Sequence, residues 1–192
     1  MVKKDKKQKI LQHGFEVMYA KGYHATSIQD IADAAGMPKG SFYHYFKTKE
    51  LFTVDAISLY TDMVYSEMEY TLTDTSLTPL KRILTLYQNR IDYYESKQYM
   101  FGCFAGNLTN EISDSNDVLR IAVNTFFDKN RTLLVACLEE AQNSDELDET
   151  HNTEDLAEFI VSSYEGVLLR MKSVRNPKPL EIFQKYLENL LT

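Results

Sequence analysis

The chain has 192 residues, 44% hydrophobic and 26% charged, a balance that supports a packed core and excludes disorder. With 4 Pro and 7 Gly it has few points at which to break long helices, which argues against an all-β fold, and no apolar run approaches the roughly 18 residues that span a bilayer. The net charge of −7 reads against nucleic acid, but residues 1–53 hold nine Lys against five acids, leaving −11 on the remainder. A basic head on an acidic body suits a protein that offers one end to phosphate.

The N-terminal run Met1-Val2-Lys3-Lys4-Asp5-Lys6-Lys7 is basic, but no apolar stretch follows it, so it is not read as a signal peptide. Cys103 and Cys137 lie far apart and form no Cys-x-x-Cys motif, so a reduced, cytoplasmic setting is expected. From Asp5 to Ala20, Ile10, Leu11, Phe15, Val17 and Met18 share one helical stripe, and Gly22 reads as its C-cap. Ser27 with Asp30, or Thr26 with Gln29, has capping-box spacing at the start of a short second helix. Ile28, Ile31, Ala32 and Ala35 make its inner face, and Gly36 ends it. Met37-Pro38 forms a turn into a third helix, about Lys39 to Tyr45. Phe42 and Phe46 face inward, with Lys39, Gly40, Ser41, Tyr43 and His44 outward. Two helices joined by a short Gly-containing turn, the second polar and exposed, read as a helix-turn-helix. Gly40 costs a helix roughly 0.8–1 kcal/mol relative to Ala, which points to a close backbone approach at that position.

Thr48 is placed as the N-cap of a fourth helix running to about Leu72. A linker from Leu72 to Pro79 precedes a fifth helix to about Ser96. The segment Tyr99–Glu111, with Gly102 and Gly106, reads as a broken or short sixth helix. A long seventh, about Asp117 to Asn143, leads through an acidic loop, Ser144 to Thr153, to an eighth (about Glu154 to Val174) and a ninth (about Pro179 to Leu191). The expected fold is therefore all-α with about nine helices: a three-helix helix-turn-helix domain over 1–53, and a helical ligand-binding and dimerisation domain over 54–192.

The run from Thr26 to Leu51, TSIQDIADAAGMPKGSFYHYFKTKEL, resembles the signature of the TetR family of bacterial regulators, in order and without gaps. Pro38 stands where that family usually carries Ser, which bears on one phosphate contact. The resemblance implies an Ω-shaped all-α homodimer, a repressor whose affinity for a palindromic operator falls when a small molecule binds its second domain. It places Thr26, Ser27 and Gln29 at DNA contacts opening the second helix. Lys39, Gly40, Ser41, Tyr43 and His44 fall in the major groove, and Lys49 on phosphate. Hydroxyls, backbone N–H groups and lysines at helix starts position a protein on phosphate, and Lys39 is the candidate for guanine O6/N7. Packing against the first helix is the competing reading for Tyr43 and Tyr45.

Gly102-Cys103-Phe104-Ala105-Gly106-Asn107-Leu108-x-x-Glu111 resembles a segment, G-C-x-x-G-N-x-x-x-E, of a TetR subgroup. Some of its members respond to electrophiles or oxidants, others to flavonoid-like or drug-like aromatics. Cys103 thus has two readings, a sensing thiol or a small buried hydrophobe, and Cys137 is assigned to the core. The second domain holds nine of the 13 tyrosines. Tyr65, Tyr87, Tyr94, Phe101, Cys103, Phe104, Asn107, Phe127 and Tyr164 are the candidates for a pocket taking an aromatic or electrophilic effector, and for each alone the competing reading is core. Phe159, Ser162, Ser163, Gly166, Val167 and Arg170 on the eighth helix, with Phe183, Leu187 and Leu190 on the ninth, are the candidates for a four-helix dimer interface. No metal-ligand cluster, phosphate loop or Cys–His pair is legible, so neither an enzyme nor a cofactor is expected. The alternatives are a DNA-binding activator, a helical ligand carrier or enzyme, and a head that binds protein. Operator position and salt-dependent operator binding separate them.

Overall fold

The structure is a computed structural model and describes residues 2–191, leaving aside the side chains of 2–4, so the basic Lys3 and Lys4 side chains lie outside the described set. The described residues form nine helices and no strand. These are α1 (Val2–Lys21), α2 (Ile28–Ala34), α3 (Lys39–Phe42), α4 (Lys49–Leu72), α5 (Pro79–Ser96), α6 (Phe104–Ile112), α7 (Asp117–Asn143), α8 (Thr153–Val174) and α9 (Lys178–Leu191). Two compact units emerge: Met1–Asp62 with Phe104–Phe126, and Met63–Cys103 with Phe127–Thr192. Neither unit is continuous in sequence, because α6 and the first part of α7 pack with the N-terminal helices.

The helix ends follow local chemistry. Ser27, rather than Thr26, caps α2: its Oγ accepts from the Asp30 amide at 3.1 Å, and Asp30 Oδ2 accepts from the Ser27 amide at 2.8 Å. Gly22 and Gly36 sit at φ +87° and +65°, the left-handed conformation that closes α1 and α2. The Leu51 amide bonds Thr48 Oγ1 at 3.1 Å, so Thr48 opens α4 as its sequence suggested. Asn152 caps α8 by accepting from the Asp155 amide at 2.9 Å.

One expected element differs. The third helix is one turn long, because residues 43–45 close as turns, His44 N to Ser41 O at 3.2 Å and Tyr45 N to Phe42 O at 2.9 Å. The tighter path returns Phe46 to the core beside Phe42 and Phe52, with ring centroids 5.4 and 5.0 Å away. The sixth helix is short and unbroken, one of the two alternatives expected, and the irregular backbone lies before it, where Gln98, Tyr99, Phe101 and Gly102 all have positive φ.

In the first unit, Ile10, Leu11, Phe15 and Met18 of α1 are buried with Ile31, Ala32, Phe42, Phe46, Phe52, Ala56 and Ile57. Gly14 makes this crossing possible: a Cβ there would stand 2.5 Å from Phe52 Cζ and 2.7 Å from Ile31 Cγ2. Phe104 closes a ring cluster with Phe15, Tyr19 and Tyr60 at 5.1–5.8 Å. In the second unit, Arg82 is buried and pins the linker before α5, donating to Asp74 O at 2.7 Å, Leu77 O at 3.0 Å and Glu140 Oε2 at 2.7 Å. Cys137 is core, as its sequence position indicated: its thiol donates to Pro79 O at 3.3 Å, and burial pushes its pKa up to about 11.

Candidate nucleic-acid interface and effector site

The short α3 is held from within by Phe42, which is fully buried, while its other side faces solvent. Lys39, Gly40 and His44 are exposed, Ser41 is half-buried, and Tyr43 is 49% exposed with its ring edge-on to Phe42 at 5.6 Å. Tyr43 therefore uses one edge as packing and leaves the other outward. Nothing lies within 4 Å of a Cβ built on Gly40, so no internal contact requires glycine there. At the start of α2, Ser27 and Gln29 are exposed, and Gln29 Nε2 donates to Asp33 Oδ1 at 2.6 Å.

Thr26 and Lys49 are placed differently from the other candidates. Thr26 is 1% exposed and donates its hydroxyl to Gly22 O at 2.6 Å, so its side chain serves the α1–α2 turn. Lys49 is half-buried over the Tyr23 ring, 4.1 Å from its centroid, and donates to Tyr23 O and Thr26 O at 2.8 Å each. Desolvation lowers its pKa, partly offset by Glu111. Asp30 is held well below the ordinary carboxylate range, first by the hydrogen bond from Lys21 and then by Ser27. These contacts hold the turn, and the exposed Lys39, Gly40, Tyr43 and His44 follow it in the chain.

The effector candidates divide between the two units. Phe104 and Asn107 belong to α6 in the first unit, and Phe104 is part of its aromatic core. Tyr65, Tyr87, Tyr94, Phe101, Cys103, Phe127 and Tyr164 belong to the second. There, Tyr87, Tyr164 and Phe183 meet with centroids 4.9–5.4 Å apart. The Tyr164 hydroxyl is buried without a hydrogen-bond partner. Burial raises the pKa of both tyrosines, and Arg90 opposes that rise in each.

Sequence reasoning missed two charged members of this cluster. Glu165 accepts a hydrogen bond from the Cys103 thiol, and burial lifts its pKa to about 7 against the pull of Cys103 and Arg90. Arg90 pairs with Glu67 at 3.3 Å. The available signal was a charge within an apolar stripe: Arg90 falls one turn after Tyr87 and one before Tyr94 on α5. Cys103 itself is 5% exposed.

On α8, Phe159, Ser162, Gly166 and Arg170 are exposed, and Ser163 and Val167 half-buried. Of the α9 candidates, Leu190 is half-buried, but Phe183 and Leu187 are buried within the unit because α9 turns that stripe inward. The outward apolar residues are instead Leu169, Ile182 and Tyr186. Among the described residues, no group of three His, Cys, Asp or Glu side chains is placed to hold a metal. No described helix is long and apolar enough to cross a membrane.

Residues 10–52 match the family described as bacterial regulatory proteins, tetR family, and residues 79–187 match the tetracyclin repressor-like C-terminal domain. The chain is 30% identical to the HTH-type transcriptional repressor DhaR of Mycobacterium sp. (strain GP1), over 92% of this chain and 87% of that protein. It is 31% identical to the transcriptional regulator AcuR of Cereibacter sphaeroides, over 93% and 81%. The crystal structure of a regulatory protein TetR from Rhodobacter sphaeroides superposes with a TM-score of 0.90 at 30% identity, covering 96% of this chain and 98% of that one. The reduced form of Escherichia coli NemR superposes with a TM-score of 0.91 at 24% identity, covering 98% and 97%, and shares the fold. The chain belongs to the TetR family of bacterial DNA-binding transcriptional regulators.

Proposed function

We propose that this chain is a cytoplasmic transcriptional repressor that binds a palindromic operator as a homodimer and is released when a small aromatic or electrophilic molecule engages its second unit. The observation that carries the operator part is the outward surface of residues 39–44, with Gly40 opening on empty space and Phe42 locked beneath it. Lys39, Tyr43 and His44 read base edges, the Gly40 and Ser41 backbone approaches phosphate, and Ser27 and Gln29 add contacts at the start of α2. Lys49 supports the turn and has one remaining donor for phosphate, while Thr26 serves the turn itself, its hydroxyl on Gly22 O, its amide on Tyr23 O and its carbonyl on Lys49.

Dimerisation is assigned to α8 and α9. Phe159, Leu169 and Tyr186 are 58%, 62% and 64% exposed, a large apolar surface for two helices of a lone protomer. An open groove of about 540 Å³ runs along Ser163, Gly166, Val167 and Arg170 to Ile182. Its small residues let a partner's helix approach closely. A two-fold dimer then requires operator half-sites about one DNA turn apart.

The effector is assigned to the Tyr87–Tyr164–Cys103 cluster and the segment leading into it. The supporting features are the unpartnered Tyr164 hydroxyl, a donor awaiting an acceptor, and the Cys103 thiol beside a carboxyl that titrates near neutrality. The Gly102-Cys103…Glu111 pattern supports this reading by its resemblance to a TetR subgroup some of whose members respond to electrophiles or oxidants. Effector binding or modification at Cys103 displaces the helices that follow, and the two heads no longer fit two major-groove segments at once.

The test is operator binding by fluorescence anisotropy, on DNA upstream of the protein's own gene, before and after treatment with N-ethylmaleimide. Loss of binding in wild type but not in Cys103→Ser assigns sensing to Cys103. Equal binding before and after returns Cys103 to the core and leaves the tyrosine cluster as a non-covalent site.

A further inference from the structure

Glu111 closes the G-C-x-x-G-N-x-x-x-E segment, and no role assigned so far accounts for it. It stands on the last turn of α6, and its contacts reach back 87 residues to the turn between α1 and α2. Glu111 Oε2 accepts from the His24 amide at 3.0 Å, and the Glu111 carbonyl oxygen lies 3.0 Å from His24 Nε2. The carboxylate is also seated against Gly22: a Cβ at that residue would come within 2.5 Å of Glu111 Oε1. The glycine required by its left-handed φ is thus also the residue whose missing side chain admits Glu111.

The turn is gripped from its other side by Lys49, which donates to Tyr23 O and Thr26 O. Residues 22–26 therefore have carbonyls held by a cation and an amide held by an anion. Few free dihedrals remain before Ser27, the N-cap of α2. A second contact ties the same corner to the head: Asn116 Nδ2 donates to Glu50 Oε2 at 2.5 Å, on the first turn of α4. The corner between α6 and α7 thus holds the head at two points, on two different elements.

We infer that Glu111 is a positioning residue for operator recognition. By holding the α1–α2 turn it sets the attitude of the α2–α3 reading pair. It also gives α6, which begins one residue after Cys103, a direct grip on that pair. The inference rests on the reading that α2 and α3 face the operator. A carboxylate that merely solvates the surface would leave operator affinity unchanged. One that sets the attitude affects specific binding, which needs fixed geometry, and spares non-specific binding, which needs only positive charge.

The experiment compares wild type, Glu111→Ala, Glu111→Gln and Asn116→Ala by binding to operator and to random-sequence DNA at one salt concentration, and by amide exchange at His24. Glu111→Ala is expected to weaken operator binding about tenfold, the scale of one lost charge-assisted hydrogen bond, with random-DNA binding held within about twofold. Exchange of the His24 amide is expected to accelerate by a similar factor. Glu111→Gln retains an oxygen for that amide and should recover most of the operator affinity. Asn116→Ala should weaken operator binding in the same selective way, by less. Operator binding by Glu111→Ala within twofold of wild type, equal losses on operator and random DNA, or no rescue by Gln would each overturn the inference. Failure of wild type to prefer its operator would instead overturn the repressor reading, and unchanged His24 exchange in Glu111→Ala would then still refute the grip.

Discussion

Glu165 offers a quantitative test of the buried cluster in the second unit. Its pKa rises from 4.5 in the ordinary range to about 7, chiefly because burial penalises the carboxylate, against opposition from the Cys103 hydrogen bond and Arg90. Between those two values the folded chain keeps the proton that the unfolded chain has released. Unfolding then releases a proton, so stability falls as pH rises through this window and is lowest above about 7. The full displacement corresponds to about 3 kcal/mol. For a chain of this size that is roughly 6–12 °C in melting temperature. Glu165→Gln keeps the shape and removes the titration. The assay is urea unfolding of both proteins at equal concentration, at about pH 5, 6, 7 and 8, so that dimer mass action cancels. The variant should exceed wild type by less than ~1 kcal/mol at about pH 5 and increasingly toward pH 8, the gap approaching ~3 kcal/mol. A gap independent of pH, or one that shrinks as pH rises, would show that Glu165 is not the desolvated carboxyl described here.

The remaining predictions concern the head. Gly14→Ala forces a methyl to within 2.5 Å of Phe52 and 2.7 Å of Ile31, and should cost about 1–3 kcal/mol by calorimetry or urea unfolding; a neutral substitution would mean that α1 is free to shift. Gly40→Ala meets open space and should leave stability unchanged or raise it by up to about 1 kcal/mol. The same change should weaken operator binding about tenfold by blocking backbone approach to phosphate. Unaltered affinity would remove Gly40 from the interface.

Much of this architecture is legible in sequence because its determinants are local. Ser27 with Asp30, Thr48 before Lys49, and Thr78 before Pro79 mark helix starts within four residues, and all three are where the chain turns into α2, α4 and α5. The end of α3 is not legible in the sequence because the pull on residues 43–45 is tertiary: Phe46 must reach Phe52, six residues on and in another helix. The glycines at 102 and 106 leave a broken and a short α6 both open in the sequence; the structure has the short one, and non-glycine residues at 98, 99 and 101 carry positive φ before it. Phe183 and Leu187 read as an interface in the sequence because an apolar stripe on a terminal helix does not say which neighbour it covers; Tyr87 and Tyr164 cover Phe183 within the same unit. Glu111 and Glu165 escaped assignment because their partners, His24 and Cys103, lie 87 and 62 positions away in the chain.

The charges of the head sort by whether they are tied. Lys7 pairs with Asp55 and Lys21 with Asp30, each at 2.6 Å, and Lys49 is bound to turn carbonyls. Lys39, exposed at the start of α3, has no ion-pair partner among the described residues. Lys7 and Lys21 contribute little to counterion release, because a carboxylate already compensates each of them, whereas Lys49 is held in place by neutral carbonyls. Lys39 keeps its full charge for DNA. This division explains how a chain of net charge −7 reads an operator. Long-range attraction is not required of the whole molecule, because residues 1–53 carry nine Lys against five acids. Specificity then depends less on the number of basic residues than on the rigidity of the turn that carries α2 and α3, and that turn is held by Lys49 on one side and Glu111 on the other.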